Sequence, residues 1–439
     1  MRPILPIALP LAFALAAAAQ DAAPPSKRDP RIDATRITRV APAESTEPAL
    51  RGDAPRPVLR IAARAEDAGL DAARFEAARA AIRRGLAALA TMQTPEGRLF
   101  VDREVAPTDM EPRKRAASVA VTALALKAFE QAPDLGDEAA RRRTRGAVLA
   151  AITDPAERVR VTEGGIGNYA MSAIASGLAA VGDPDAAGGV AVALAWLRES
   201  QWDSGEGIDG AEDWFGGAGY GNGKRPDLSN TQMMLDAMHD AGVSADDPAM
   251  QRALAFVERT QNRRASNTAG WAQAGPNDGG FVYSPANGGE SFASDAAGEG
   301  RYGEKLATRS LRSYGSMTYA GFKSMLYAGL SKDDPRVKDA LGWISAHFTF
   351  DENPGLGQQG YFYYLHAMAR ALEASGLREL PDATGRARNW RAELVDALLK
   401  RQGDSGTWKN ATERWEESRE DLATVYAVLA LEEALKPAR

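Results

Sequence analysis

Three histidines, no cysteine and a scatter of carboxylates set the chemistry open to this 439-residue chain. Without cysteine there is no disulfide, no thiolate nucleophile, no iron–sulfur cluster and no Cys-containing zinc site. A metal site built from histidine alone would need all of His239, His347 and His366, so neither metal nor cofactor is expected. Carboxylates could cleave a glycan if two of them stood about 5–10 Å apart across a cleft. Asp227, Glu290, Asp295 and Glu304 are the supply. His366 sits beside Tyr363 and Tyr364 and reads as a hydrogen-bonded core histidine, with a general base as the alternative. The acidic run Asp203–Asp213 lacks the Asp register of a calcium loop and reads as solvated. Gly216-Gly-Ala-Gly-Tyr-Gly221 follows no strand, which removes the dinucleotide reading, and no nucleophile-elbow motif starts a Ser–His–Asp site. A formal net charge of -6 with both signs mixed argues against nucleic acid as a partner.

The elements that must position these groups recur along the chain. An apolar helix ends in a polar residue, a Gly-containing loop follows, and a second apolar helix comes next. The first helices end at Gln93, Thr153, Gln201, Gln261, Phe348 and Gln402. That is a spacing of roughly 50–60 residues, with one longer interval filled by a Gly-rich insertion over 262–313. The second helices are predicted over Ser118–Gln131, Asn168–Val181, Leu228–Ala241, Tyr314–Ala328, Tyr361–Ala374 and Asp421–Leu435. In the fifth, Tyr361, Tyr364, Leu365, Met368 and Leu372 keep a helical period, and in the sixth Leu422, Val425, Tyr426 and Leu429 do the same. Asp246-Asp247 and Asp333-Asp334 precede prolines and read as helix starts rather than magnesium ligands. Six hairpins at one period make an all-α solenoid or a closed ring. The last helix is as apolar as the middle ones, and the second helices are small and Ala-rich. Both features favour closure into an (α/α)6 toroid over residues 70–439.

The start has a different composition. Arg2, an apolar run Ile4–Ala19 and Ala17-Ala18-Ala19 describe a secretory signal peptide over residues 1–19. Its helical length of about 24 Å falls short of a bilayer core of about 30 Å, so stable membrane insertion is not expected. Residues 20–69 hold many prolines and few large apolar groups, and read as a disordered tether. The folded part is expected in the periplasm or outside the cell.

The repeat resembles a known one. Gln402-Gly-Asp-Ser-Gly-Thr-Trp408 is similar to the QW motif, Q-x-x-x-G-x-W, of squalene–hopene and oxidosqualene cyclases. Gln93-Thr-Pro-Glu-Gly-Arg-Leu99 is the same with Leu for Trp, and Gln201-Trp-Asp-Ser-Gly205 is a partial copy. More narrowly, Gly280–Pro285, Arg312–Ala320 and Asp351–Gly355 resemble secreted bacterial prenyltransferase/squalene oxidase repeat proteins. The resemblance implies a terpenoid-cyclase-like toroid. It further implies that Gln402 and Trp408, with Gly406 between them, tie neighbouring repeats, as Gln93 and Gln201 do. Cyclases of this type protonate an alkene with the middle Asp of D-x-D-D-T. The corresponding string is Asp227-Leu-Ser-Asn-Thr231, with Ser229 in the donor's place and Asn230 for the last Asp. A serine hydroxyl is far too weak an acid for this step. The plain reading is a helix start capped by Asp227 or Ser229. Squalene cyclisation is therefore not expected. Zinc prenyl transfer needs a Cys that the chain lacks.

The expected pocket is the cavity mouth, built by Asp227, Ser229, Asn230, Tyr314, Tyr319, Tyr363, Tyr364, His366 and Glu290, and covered by a folded lid from the 262–313 insertion. Asp227, Tyr319 and His366 should then surround one concave space. Three functions compete: a binding protein for an apolar molecule or a glycan, an enzyme with a rearranged site acting on a terpenoid or polysaccharide, and a scaffold. A wide apolar cavity selects lipid, a carboxylate-lined one selects glycan, and a filled one selects scaffold.

Overall fold

The computed structural model describes residues 60–102, 110–293 and 310–438. The expected leader, the Pro-rich segment up to residue 59, Asp295 and Glu304 lie outside the described residues. The helices are α1 (Ala72–Met92), α2 (Pro112–Gln131), α3 (Glu138–Thr153), α4 (Pro155–Thr162), α5 (Gly167–Val181), α6 (Pro184–Glu199) and α7 (Leu228–Asp240). They continue as α8 (Pro248–Arg259), α9 (Gly270–Ala274), α10 (Gly315–Tyr327), α11 (Pro335–Ala346), α12 (Tyr361–Ser375), α13 (Trp390–Arg401) and α14 (Glu420–Leu435). Strand pairing among the described residues is confined to two short antiparallel pairs, β1 (Ala218–Gly219) with β2 (Pro226–Asp227) and β3 (Glu379–Pro381) with β4 (Ala387–Asn389), and three isolated bridges.

Helices α2, α5, α7, α10, α12 and α14 each pack on the next, and α14 packs back on α2. The six form a closed inner ring, with α1, α3, α6, α8, α11 and α13 outside it. The architecture is the (α/α)6 toroid. Five of the six outer helices are started by aspartate: Asp71, Asp137, Asp183, Asp247 and Asp334 each accept a backbone N–H of the first turn, and proline follows the last three. The aspartate satisfies an orphan donor, and the proline occupies a position whose N–H needs no partner.

One hydrogen-bonding module recurs at four repeat junctions. The amide Nε2 of Gln201 bridges Gly216 O at 2.9 Å and Ala249 O of α8 at 3.0 Å. Gln261 bridges Gly279 O and Arg336 O of α11, both at 2.9 Å. Gln402 bridges Gly406 O at 2.8 Å and Ala81 O at 2.9 Å, which joins the last outer helix to the first. Gln93 reaches Ala140 O of α3 at 3.2 Å. The loop glycines Gly97, Gly216, Gly279 and Gly406 are left-handed, with φ of 87, 82, 78 and 83°. Each lies flat on the backbone of the following outer helix; a Cβ on Gly406 would stand 2.8 Å from Arg84 O. The loop then donates an N–H to an inner-helix threonine, from Leu99 to Thr122, Ala218 to Thr231, Phe281 to Thr318 and Trp408 to Thr424. Glutamine, glycine and threonine thus tie loop, next outer helix and inner helix at once.

The folded body begins before the expected residue 70. Ala62 N–H donates to Leu435 O at 2.8 Å, Ile61 N–H to Gln131 O at 3.3 Å, and Ala438 N–H to Asp67 O at 2.7 Å. Residues 60–70 therefore strap the ends of α2 and α14 together, although their composition continues that of the tether. Among the described residues no helix is long and apolar enough to cross a membrane.

Small residues let the inner helices approach. Gly177 of α5 lies on the Ala123 carbonyl of α2, with no room for a side chain. Gly177→Ala is expected to cost about 1–3 kcal/mol through forced separation of the two helices. A chemical-denaturation midpoint unchanged from wild type would show that the pair can slide apart freely.

Candidate functional site

A cavity of about 650 Å³ opens on the ring axis at the amino-terminal ends of the inner helices. Its wall draws on all six: Ala117, Ala120, Val121 and Leu124 of α2, Tyr169 and Ala173 of α5, and Ser229 and Met233 of α7. Ser316 and Met317 of α10, Tyr363 of α12, and Leu422 and Tyr426 of α14 complete the circuit. Loops supply Phe100, Tyr220, Tyr283, Tyr314, Phe292 and the run Trp415–Glu417. Helical geometry explains the choice. First- and second-turn positions such as Tyr169 and Ala173, Ser229 and Met233, or Leu422 and Tyr426 are four apart and share one face.

Of the nine expected pocket residues, Ser229, Tyr314 and Tyr363 line this cavity. The others are placed elsewhere. Tyr364 follows Tyr363 by one residue, about 100° around the helix; its hydroxyl donates to Thr349 O at 2.7 Å and its ring meets Tyr319 edge-on at 5.7 Å. Asn230 is fully buried, donates to Asp227 Oδ2 at 2.8 Å and receives Asn168 Nδ2 at 3.1 Å, locking α5 to α7. Glu290 is bonded to Arg225 and its backbone pairs with Ser284. His366 is buried against Tyr426, and burial beside Arg370 and Lys323 holds its ring well below the usual histidine range. Its ring is not part of the cavity wall. The expected grouping of Asp227, Tyr319 and His366 around one concave space is not what forms: none of the three lines the cavity, Asp227 is engaged in capping, and His366 lies below it beside Arg370 and Lys323.

Asp227 is the cap of α7, accepting Asn230 N–H at 2.8 Å. Burial pushes its carboxyl up to about 6 against the bonds from Asn230. The folded-state value lies above that of the free carboxyl, so its contribution to stability is present below about pH 4 and is lost as the pH rises through 6. The stability of wild type relative to Asp227→Asn is expected to fall by about 2–3 kcal/mol between pH 4 and 7. Urea midpoints of the two proteins across that range are the check, and parallel curves would contradict it.

The polar centre of the cavity is a set of hydroxyls. Tyr169 OH and Ser229 Oγ are 2.5 Å apart, and Ser229 Oγ lies 3.0 Å from Tyr363 OH. Gln232 Nε2 donates to Tyr363 OH at 3.0 Å, and Lys323 Nζ donates to Gln232 Oε1 at 2.7 Å. Burial raises the phenols of Tyr169, Tyr283, Tyr314 and Tyr363 far above the ordinary tyrosine range, so they act as neutral hydrogen-bonding groups. Ser229 Oγ thus has two neutral phenols as its hydrogen-bond partners. Below the cavity the axis is closed by buried ion pairs: Lys323 with Asp236 at 2.7 Å, Lys127 with Asp240 at 2.5 Å and Arg370 with Asp240 at 3.0 Å. Among the described residues no three His, Asp or Glu side chains gather as a metal site.

The insertion adds to the wall. Its described part is folded by bridges Gln261↔Phe281 and Ser284↔Glu290, with Trp271 and Val282 in a small core of their own. Tyr283 and Phe292, 4.3 Å between ring centroids, face the cavity, and Phe292 meets Trp415 at 5.8 Å. Tyr169, Tyr220, Phe292, Trp415 and Glu416 were not legible as site residues. Register four residues apart would have found Tyr426 and Met233, whereas Trp415 and Glu416 lie in a loop outside the repeat.

No family model matches the chain, and no curated protein matches it in sequence. Solved structures do resemble it. An inactivated variant of an α-1,6-mannanase from Salegentibacter, in complex with α-1,6-mannotriose, superposes with a TM-score of 0.51 at 9% identity, over 81% of this chain and 98% of that one. A glycosidase in complex with glucose gives 0.42 at 12% identity, covering 84% and 100%. A type II terpene cyclase from Scytonema with its product merosterolic acid A gives 0.31 at 13%, covering 83% and 98%. The first of these shows a shared α/α toroid fold and nothing finer.

Proposed function

We propose that this protein binds an apolar molecule of terpenoid size in the axial cavity and holds an oxygen of it at the Tyr169–Ser229–Tyr363 hydroxyls. The observation that carries the reading is the cavity itself. Its volume of about 650 Å³ falls in the range of small-molecule sites, and its wall is largely aliphatic and aromatic side chains. A glycan site would instead present several outward polar groups and paired carboxylates. Of the three carboxylates on the wall, Glu417 caps α12 and Glu111 caps α2, which leaves Glu416 without a second. The motif resemblance to terpenoid cyclases agrees with an apolar ligand, and Ser229 in the donor's place agrees with binding rather than cyclisation. Purified protein should give no polycyclic product from squalene. We further read the amino-terminal run as an export signal, so that the mature protein would start near Gln20 and its intact mass would show it.

The test is a titration of the full chain with farnesol, followed by tryptophan emission, since Trp415 lines the cavity. A saturable change is expected, abolished in Ala120→Trp, which fills the space between α2 and the axis. Saturable binding of α-1,6-mannotriose with no response to farnesol would overturn the reading.

A further inference from the structure

Three carboxylates stand on the cavity wall, and two of them hold helix-start N–H groups. Glu417 accepts the N–H groups of Phe362 and Tyr363 at 3.2 and 2.8 Å and Asn410 Nδ2 at 2.7 Å. Glu111 accepts Lys114 N–H at 3.2 Å. Glu416 differs. It is half-buried in the wall, and among the described residues its carboxylate receives no hydrogen bond and no ion pair. Buried charged groups are ordinarily paired.

The charges facing Glu416 are Arg419, Lys114, Arg113 and Asp102. All three cations have partners already. Lys114 Nζ lies 2.6 Å from Asp102, and Arg419 spans Asp102 at 2.9 Å and Asp421 at 3.1 Å. Arg113 stacks over the Tyr220 ring at 5.9 Å. Burial pushes the Glu416 carboxyl upward despite these neighbours. A positive charge entering the cavity would find its counterpart here.

The backbone adds an independent observation. Trp415 and Glu416 are consecutive left-handed residues, with φ of 58 and 61°, and neither is glycine. The repeat loops of this chain use glycine for that conformation, at Gly97 and Gly406 among others. Strain of this kind persists where the side chains it aims have a use. Trp415 is aimed at Phe292 and rests against Gly360, while Arg414 covers its ring at 4.5 Å. Glu416 is among the residues that line the cavity.

We propose that Glu416 is the ligand-binding carboxylate of the cavity and that the molecule it recognises carries a basic nitrogen at the end nearest the mouth. A neutral hydroxyl would find equal partners in water, whereas an ammonium group gains most from a half-desolvated carboxylate with aromatic faces around it. Tyr314 on the cavity wall supplies such a face, whereas those of Tyr220 and Phe292 are covered by Arg113 and Arg414 at 5.9 and 5.2 Å. The ligand is then an amphiphilic amine with an apolar body. This rests on the reading that the cavity takes an apolar molecule.

The experiment compares farnesol with farnesylamine, one skeleton with a neutral or a cationic end, on the full chain at pH 7.5. The amine is expected to bind about tenfold more tightly than the alcohol. Glu416→Gln is expected to remove that advantage while leaving farnesol affinity within about twofold, and Glu416→Asp to retain part of it. An unchanged urea midpoint for each variant separates lost binding from lost folding. Equal affinities for the two ligands in wild type, or equal weakening of both by Glu416→Gln, would overturn the proposal while leaving the apolar cavity standing. Binding of neither ligand would overturn both.

Discussion

Replacing Trp408 by alanine is expected to lower stability by about 3–5 kcal/mol, the range for removing a large buried aromatic side chain. The indole is 1% exposed, its Nε1 donates to Leu398 O of α13 at 2.8 Å, and its six-membered ring lies where a Cβ on Gly85 of α1 would touch it. Its own backbone N–H is held by Thr424 of α14 at 3.0 Å. One side chain therefore joins the last hairpin to the first, at the seam where the ring closes. The loss should appear as a lower urea midpoint at unchanged slope, because the same surface is still exposed on unfolding. Leu99 takes the equivalent place at the first junction, and Leu99→Ala should cost less, since a smaller side chain leaves a smaller cavity. A Trp408→Ala protein as stable as wild type would show that the seam is held by the Gln402 bonds alone.

Most of the ring was legible because its signal is repeated. A glutamine closing one helix, a Gly-containing loop and an apolar helix after it recur, and each inner helix appears within about six residues of its expected span. The loop glycine that the module uses comes four residues on for Gln93 and Gln402 but only at Gly216 and Gly279 for Gln201 and Gln261. The threonines that close the module were missed for a simple reason: Thr122, Thr231, Thr318 and Thr424 look like ordinary inner-helix residues until the loop N–H arrives. The site was less legible. Tyr363 and Tyr364 are adjacent in sequence and equally aromatic, yet only the first faces the axis. Which face of an inner helix meets the cavity depends on how the ring turns each helix, and a helical period alone does not give that angle. Glu416 carries no pattern, since its placement comes from two left-handed residues and from Glu417 docking on α12. The strap at residues 60–70 was hidden by composition, being held chiefly by backbone bonds to helix ends.

The second large effect is expected from Asp236→Ala, at about 3–5 kcal/mol, because it leaves buried cations without their partner. Asp236 Oδ2 accepts Lys323 Nζ at 2.7 Å and lies 3.6 Å from Arg370 Nε, with both cations almost wholly buried. Asp240 still serves Arg370, so the main orphan is Lys323. Burial already draws the Lys323 ammonium down to about 8 against the pull of Asp236. A lysine whose folded value lies below its free value binds fewer protons in the folded state, so its contribution to stability is present above about pH 10 and is lost as the pH falls through 8. Without Asp236 the folded value falls further, and the loss continues at lower pH. The deficit of Asp236→Ala should therefore be greatest near pH 6 and shrink above pH 8, where Lys323 can shed its proton. Adding Lys323→Met to Asp236→Ala should recover most of the loss at neutral pH, since a well-packed apolar replacement of a buried pair is often neutral. The same substitution reaches the cavity. Lys323 orients Gln232, and Gln232 donates to Tyr363 beside Ser229, so the double variant should hold farnesol more weakly while folding well. Equal instability of the single and double variants at every pH would show that Asp236 acts through packing of α7, and that the buried charges below the cavity do not set the orientation of its hydroxyls.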